Sequence, residues 1–150
     1  MGKKINNAGN VSKKERKIIK NETDAQKEEF EQEGNDKLVF VSIKELQENF
    51  ECFSKWTKTE MSKFWKFNKD IHRTTWSNIY KTANKGENKR GFAYTEIPID
   101  KYNKKTSVFQ TISKDKTLFE LRVDDKIRVH GFREKSVFYL CILDKDHKIC

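Results

Sequence analysis

LFELRVDDKIRVHGFREKSVFYLCILD, residues 118–144, contains three runs rich in β-branched and aromatic residues, separated by short polar turns. The turns are Asp124-Asp125 and Glu134-Lys135. Such runs joined by such turns are typical of an antiparallel meander. We therefore expect the fold to be built around these three strands.

The alternation of side chains along these runs predicts two different faces. Successive residues of a strand point to opposite sides of the sheet. In the first two runs most apolar residues then share one face, and Arg122, Arg128 and His130 share the other. The last run, VFYLCIL, is apolar on both faces, as in a central strand. One face should pack on helices, and the second should be only partly covered.

Upstream of these strands, LVFVS at residues 38–42 predicts a further strand. Ser42 and Glu45 have the spacing of a capping box, so a short helix, IKELQENF, is predicted to follow.

Thr57 and Glu60 have the same capping-box spacing, and apolar residues at intervals of three or four follow them to about Asn84. This pattern predicts one long helix, or two with a break near Asp70. FAYTEIPI, residues 92–99, alternates and contains the only proline, which favours an edge strand or an extended segment.

The composition changes near residue 37. Residues 1–37 mix basic and acidic side chains with few large apolar ones, which predicts a charged, disordered segment. Residues 38–150 are predicted to form one α+β domain, a small antiparallel β-sheet packed against two or more helices. A chain of 150 residues normally holds one such domain.

The charge balance favours a polyanionic partner, because 32 Lys and Arg against 23 Asp and Glu give a formal net charge of +9. No stretch approaches the roughly 20 apolar residues of a bilayer span, and the N-terminus lacks the apolar core of a secretion signal. A cytoplasmic protein without a membrane partner is therefore predicted. Cys52, Cys141 and Cys150 form neither a disulfide framework nor a zinc motif, so no metal or cofactor is expected.

The polar residues around the last strands are the candidate site. Arg122 and Arg128 are on neighbouring strands and one face, where two guanidinium groups can clamp a phosphate. His130 or His147 could act as acid or base, because histidine titrates near neutral pH. His147, just past the last strand, is favoured, with Asp144 orienting its imidazole. Ordinary roles as ion-pair partners, caps or exposed side chains remain open for each.

Five basic residues are predicted to contact nucleic acid through its phosphates. They are Lys85, Lys89 and Arg90 in the loop NKGENKRG, together with Arg133 and Lys148 near the last strands.

At LFELRV, KIRVHGF and VFYLCILDKDHKI the sequence resembles the RelE/ParE-like toxin superfamily, within it a group ending in an Arg-Val-x-Gly strand and an Asp-x-x-His motif. A WSNIY-like helix and an IPID-like segment precede the sheet in the same order. The resemblance extends over roughly residues 38–150 and is strong from residue 118.

This resemblance implies a compact sheet packed by two helices. For RelE-like members it implies metal-independent cleavage of messenger RNA, at or near the ribosome, and a dedicated antitoxin partner. ParE-like relatives instead poison DNA gyrase, so a non-catalytic nucleic-acid-binding or gyrase-inhibiting domain is the alternative.

Overall fold

A computed structural model of the chain describes residues 33–83, 91–107, 109, 112 and 115–149. The chain divides into two compact units, Met1–Glu33 and Gly34–Cys150. The first unit, apart from Glu33, lies outside the described residues, and with it most of the segment predicted to be disordered. The fold below is that of the second unit.

The second unit has an α+β fold. Its elements are β1 (Phe40–Ser42), a 3-10 helix (Phe53–Lys55), α1 (Lys58–Ile71), α2 (Trp76–Lys81), β2 (Thr95–Glu96), α3 (Ile99–Asn103), β3 (Phe119–Arg122), β4 (Arg128–Glu134) and β5 (Val137–Asp144). One five-stranded sheet has the order β1-β5-β4-β3-β2. None of the helices in the described part of the chain has the length and apolar composition needed to cross a bilayer.

The predicted meander is confirmed, because β3, β4 and β5 are antiparallel neighbours. The predicted edge strand is confirmed as β2, which pairs with β3. β1 differs: it runs parallel to β5, with Phe40 beside Val137. The sheet is therefore mixed, and the prediction of a purely antiparallel sheet is wrong at this strand. Parallel pairing needs a long crossover, so local patterns gave no sign of where β1 docks.

The capping box of α1 is present as predicted. The Thr57 hydroxyl accepts the Glu60 N–H at 3.1 Å, and the Glu60 carboxylate accepts the Thr57 N–H at 2.8 Å. Helix α1 ends at Ile71, and α2 begins at Trp76 after the cap residue Thr75. The alternative of two helices is thus confirmed.

The interruption between the two helices lies along the outer edge of β1. Val39 N–H donates to the Thr74 carbonyl at 2.9 Å, and Val41 N–H donates to Nε2 of His72 at 3.1 Å. These bonds use edge groups of β1 that would otherwise be open to another strand.

The short helix predicted at residues 43–50 is absent from the structure, which has turns there. The Ser42 hydroxyl accepts the nearby Lys44 N–H at 3.2 Å, and Gln47 N–H donates to the Cys141 carbonyl at 2.9 Å. A tertiary bond to β5 and a local serine turn therefore replace the helical pattern.

Apolar clusters cover both faces of the sheet. The first lies under α1 and α2 and includes Trp76, Leu121, Val129 and Phe138. The second includes Ile97, Tyr102, Phe109, Leu118, Phe132, Ile142 and Ile149. The prediction that the second face is only partly covered is therefore wrong where the second cluster lies, whereas Arg122 and Arg128 on that face are only partly buried. Helix α3 and the chain after it, which showed no clear pattern, supply Tyr102 and Phe109 to this cover.

A β-bulge in β5 changes which side chains share the second face. Gly131 pairs with Leu140 and His130 pairs with Ile142, so Cys141 has no partner in β4. The extra residue reverses the alternation of the rest of the strand. Asp144 consequently lies on the same side of the sheet as His130.

Candidate active site

A buried chain of hydrogen bonds crosses the second face. The Tyr102 hydroxyl lies 2.9 Å from Nδ1 of His130, and Nε2 of His130 lies 3.0 Å from Oδ2 of Asp144. All three residues have an exposure of 0%. Burial acts to raise the pKa of Asp144, but hydrogen bonds from His130 and from backbone N–H groups hold it below its ordinary value. Asp144 is thus an ionised acceptor, and Nε2 of His130 donates to it.

Asp144 also shapes the turn that follows β5. Its two carboxylate oxygens accept the backbone N–H groups of Lys148 at 2.7 Å and Ile149 at 3.1 Å. Its carbonyl accepts the N–H of His147 at 3.2 Å. Sequence reasoning assigned Asp144 to the imidazole of His147, whereas the structure joins it to the imidazole of His130 and to the backbone around His147.

Glu120 connects the two histidines. Its Oε2 lies 3.8 Å from Nε2 of His130 and 3.7 Å from Nε2 of His147. The residue is 8% exposed, and among the described residues no hydrogen bond reaches this buried oxygen. Glu120 was not selected as a site residue from the sequence. The alternation that places Glu120 and Arg122 on one face was the signal that could have identified it.

His147 is the accessible histidine of this group, with a side chain that is 33% exposed. Its φ of 54° is in the left-handed region, which costs a residue with a Cβ about 1–2 kcal/mol. Strained backbone of this kind is concentrated at functional sites.

Replacing His147 by glycine and by alanine should separate this strain from the imidazole. Both variants lose the side chain, but only alanine keeps a Cβ that disfavours a φ of 54°. We expect the His147→Gly protein to be more stable than His147→Ala by about 1 kcal/mol in urea unfolding. Equal stabilities would show that the turn carries no strain at this position.

Two arginines lie beside the carboxylates. Arg122 and Arg128 are direct neighbours across β3 and β4, and Arg128 is paired with Asp144 on its other side. Nη1 of Arg128 donates to the carbonyls of Asp124 at 2.8 Å and Ile127 at 3.1 Å. Partial burial, with the charge of Arg122, lowers the pKa of Arg128, and the negative charge of Glu120 opposes that change.

An open cleft of about 510 Å³ adjoins Arg122. Its other lining residues include Lys63, Lys66 and Phe92. Nη2 of Arg122 also lies 3.4 Å from the Gly91 carbonyl at the margin of this cleft. Three carboxylates, those of Asp70, Asp124 and Asp125, line the cleft as well.

The predicted site residues are thus only partly brought together. His130 and His147 lie within 4 Å of Glu120, while Asp144 and Arg122 are joined to this group through their strand partner Arg128. Of the other predicted phosphate contacts, Arg133 lies on the helical side, with its guanidinium 4.9 Å from the Trp76 ring centre. Lys148 follows His147 directly, but its side chain pairs with Glu51 at 3.0 Å. Lys85, Lys89 and Arg90 lie outside the described residues.

Within the described ranges, no group of three or more His, Cys, Asp or Glu side chains is arranged to hold a metal ion. Comparison of the chain with known protein families, with curated proteins and with solved structures found no match.

Proposed function

We propose that the chain is an endoribonuclease that cleaves messenger RNA with protein side chains as acid and base. The observation that carries this proposal is the pair formed by partly exposed His147 and buried Glu120, 3.7 Å apart, beside neighbouring Arg122 and Arg128. Histidine, carboxylate and arginine together supply the proton transfers and the charge stabilisation that phosphodiester cleavage requires.

The proposed reaction starts with ionised Glu120 and protonated His147. Glu120 takes the proton of the 2′-hydroxyl, and the 2′-oxygen attacks phosphorus. The bond from phosphorus to the 5′-oxygen breaks, and His147 gives its proton to that oxygen. The products are a 2′,3′-cyclic phosphate and a 5′-hydroxyl. A proton returning from Glu120 to His147 restores both groups.

The remaining residues have supporting roles in this proposal. The guanidinium groups of Arg128 and Arg122 stabilise the charge that develops on the phosphate oxygens. His130 has an exposure of 0%, against 8% for Glu120, so it has no surface from which to exchange a proton with RNA. We therefore assign it, with Asp144, to positioning Glu120 and the turn of His147.

The test is cleavage of a short RNA by the full chain in the presence of a metal chelator. We expect His147→Gln to reduce kcat by about 10²–10⁴-fold, because it removes the acid. Arg128→Ala should reduce kcat/KM by about 10²–10³-fold. Arg73→Ala removes an exposed arginine from the connection between α1 and α2 and serves as the matched control.

Binding is measured separately with an RNA that carries a 2′-deoxy nucleotide at the cleaved position. A catalytic role requires that Arg128→Ala lose far more rate than affinity. If wild-type protein left the RNA uncleaved, the proposal would be wrong. A cleavage rate that did not change between about pH 5 and 8 would also contradict acid-base catalysis by histidine.

The net charge of +9 favours a second candidate function, binding of nucleic acid without cleavage. In that case Arg128→Ala would weaken binding, and wild-type protein would leave the RNA intact. Inhibition of DNA gyrase belongs to the same class, and a supercoiling assay tests it directly.

The resemblance to toxins adds a protein partner to this proposal. An acidic antitoxin would be attracted by the positive charge of the chain. Expression of the wild-type chain is expected to arrest cell growth. Coexpression with a candidate antitoxin should restore it.

A further inference from the structure

Glu51 lies in the loop between β1 and α1, far from His147 in the sequence. Its side chain is 8% exposed, and its φ is 45°. The Glu51 carbonyl accepts the indole N–H of Trp56 at 2.7 Å. Trp56 belongs to the first apolar cluster, so the backbone of Glu51 is fixed to the core.

The carboxylate of Glu51 reaches the turn after β5 on both sides of His147. Its Oε2 accepts the backbone N–H of Asp146 at 2.9 Å. Its Oε1 lies 3.0 Å from Nζ of Lys148. The two residues that flank His147 are therefore both held by one buried side chain.

Together with Asp144, Glu51 accepts the backbone N–H groups of residues 146–149 in this turn. Asp144 accepts those of His147, Lys148 and Ile149 through its carbonyl and carboxylate oxygens. The N–H of Asp146 is accepted by Glu51. Three of these bonds are local to the turn, and the fourth comes from a distant segment of the chain.

We propose that Glu51 is a positioning residue that keeps His147 in its left-handed conformation, with the imidazole directed at Glu120. A residue with a Cβ prefers the right-handed region by about 1–2 kcal/mol. Once the contacts with Glu51 are removed, the turn would therefore lower its free energy by rotating the backbone at His147. That rotation would carry the imidazole away from Glu120. The consequence for catalysis rests on the proposed ribonuclease function, whereas the consequence for His147 geometry does not.

Two ion pairs that do not involve Glu51 also contact the turn. Lys126 lies 3.1 Å from Asp146, and Lys145 lies 3.6 Å from Glu60 at the start of α1. The hydrogen bond from Lys126, followed by the contact with Lys145, lowers the pKa of Asp146 to about 2. These pairs are partly exposed and tolerate movement, whereas the bond from Asp146 N–H to Glu51 has a defined direction.

The experiment uses Glu51→Ala, Glu51→Asp and Glu51→Gln in the full chain. Alanine removes both contacts, aspartate withdraws the carboxylate by one methylene, and the amide oxygen of glutamine can still accept the Asp146 N–H. Glu48→Ala removes an exposed acid from the same loop and is the matched control.

The first measurement is NMR of the substrate-free protein. The coupling between the amide and α protons of His147 reports its φ, and NOEs report the distance from its imidazole to Glu120. We expect both to change in Glu51→Ala, and to remain unchanged in Glu48→Ala. If Glu51→Ala does not fold, Glu51→Asp gives the same test. Unchanged coupling and NOEs in the folded variants would overturn the proposal, whether or not the protein cleaves RNA.

The second measurement is RNA cleavage. Displacement of a reacting group by about 1 Å can cost about 100-fold in rate, so kcat should fall by up to that factor in Glu51→Ala with little change in KM. Glu51→Gln should recover most of this loss. A rise in KM with kcat unchanged would overturn the positioning role.

Discussion

Gly131→Ala is expected to destabilise the protein by at least about 3 kcal/mol, the upper range for a substitution that overfills a core. A Cβ on Gly131 would lie 1.9 Å from the Tyr139 carbonyl oxygen and 2.9 Å from the Phe138 ring. The first contact is with backbone, so rotation of a side chain cannot relieve it. The two strands would have to separate at the bulge.

Urea unfolding of wild type and Gly131→Ala, followed by tryptophan fluorescence, measures this effect. Val137→Ala, at a half-buried position of the same hairpin, is the control for a general weakening of β5. A midpoint for Gly131→Ala close to that of wild type would mean that β4 and β5 do not approach as described at this position.

Asp144→Ala should destabilise the protein by about 3–5 kcal/mol, the cost of leaving a buried charge network without one member. The substitution removes the acceptor for His130 and for two backbone N–H groups of the following turn. Asp125→Ala, an exposed carboxylate in the β3–β4 turn, should change stability by no more than about 0.5 kcal/mol.

The same carboxylate predicts how stability depends on pH. Its pKa is lower in the folded chain than the ordinary 3.8, so its ionised form stabilises the fold above that pH. This contribution is lost as the pH falls from 3.8 toward the pKa of the folded state. Asp144→Asn cannot titrate, so the stability difference from wild type should be constant above about pH 5 and shrink below about pH 4. A difference that stays constant to about pH 3 would contradict an ionised Asp144.

Local sequence patterns predicted the elements that are stabilised by contacts between residues close in the sequence. The capping residues Thr57 and Glu60 mark the start of α1, and the alternation after residue 118 marks the meander. The prediction of a helix at residues 43–50 is wrong. The hydrogen bond from the Gln47 N–H to β5 outweighs the weak helical pattern of this segment. The parallel docking of β1 likewise depends on partners distant in sequence.

The candidate site was predicted in part for the same reason. Arg122, Arg128 and His130 were placed on one face by the period of two alone, and the structure has them there. The partner of Asp144 could not be predicted, because the bulge at Cys141 reverses the strand after that residue. Glu51 had no sequence signal that related it to His147, since the contact joins two loops separated by most of the fold.

The pairing of β1 with β5 also bears on the order in which the fold can be completed. Phe40 pairs with Val137, and the Glu51 side chain contacts Asp146 and Lys148. We expect contacts between residues so far apart to form late in folding. Closing a long loop costs conformational entropy before the new contact lowers the free energy. On the ribosome, α1 and α2 can form while β1 still lacks its neighbour. His147 acquires its geometry only once the turn after β5 has been synthesised, so the site cannot assemble on a nascent chain that ends before that turn.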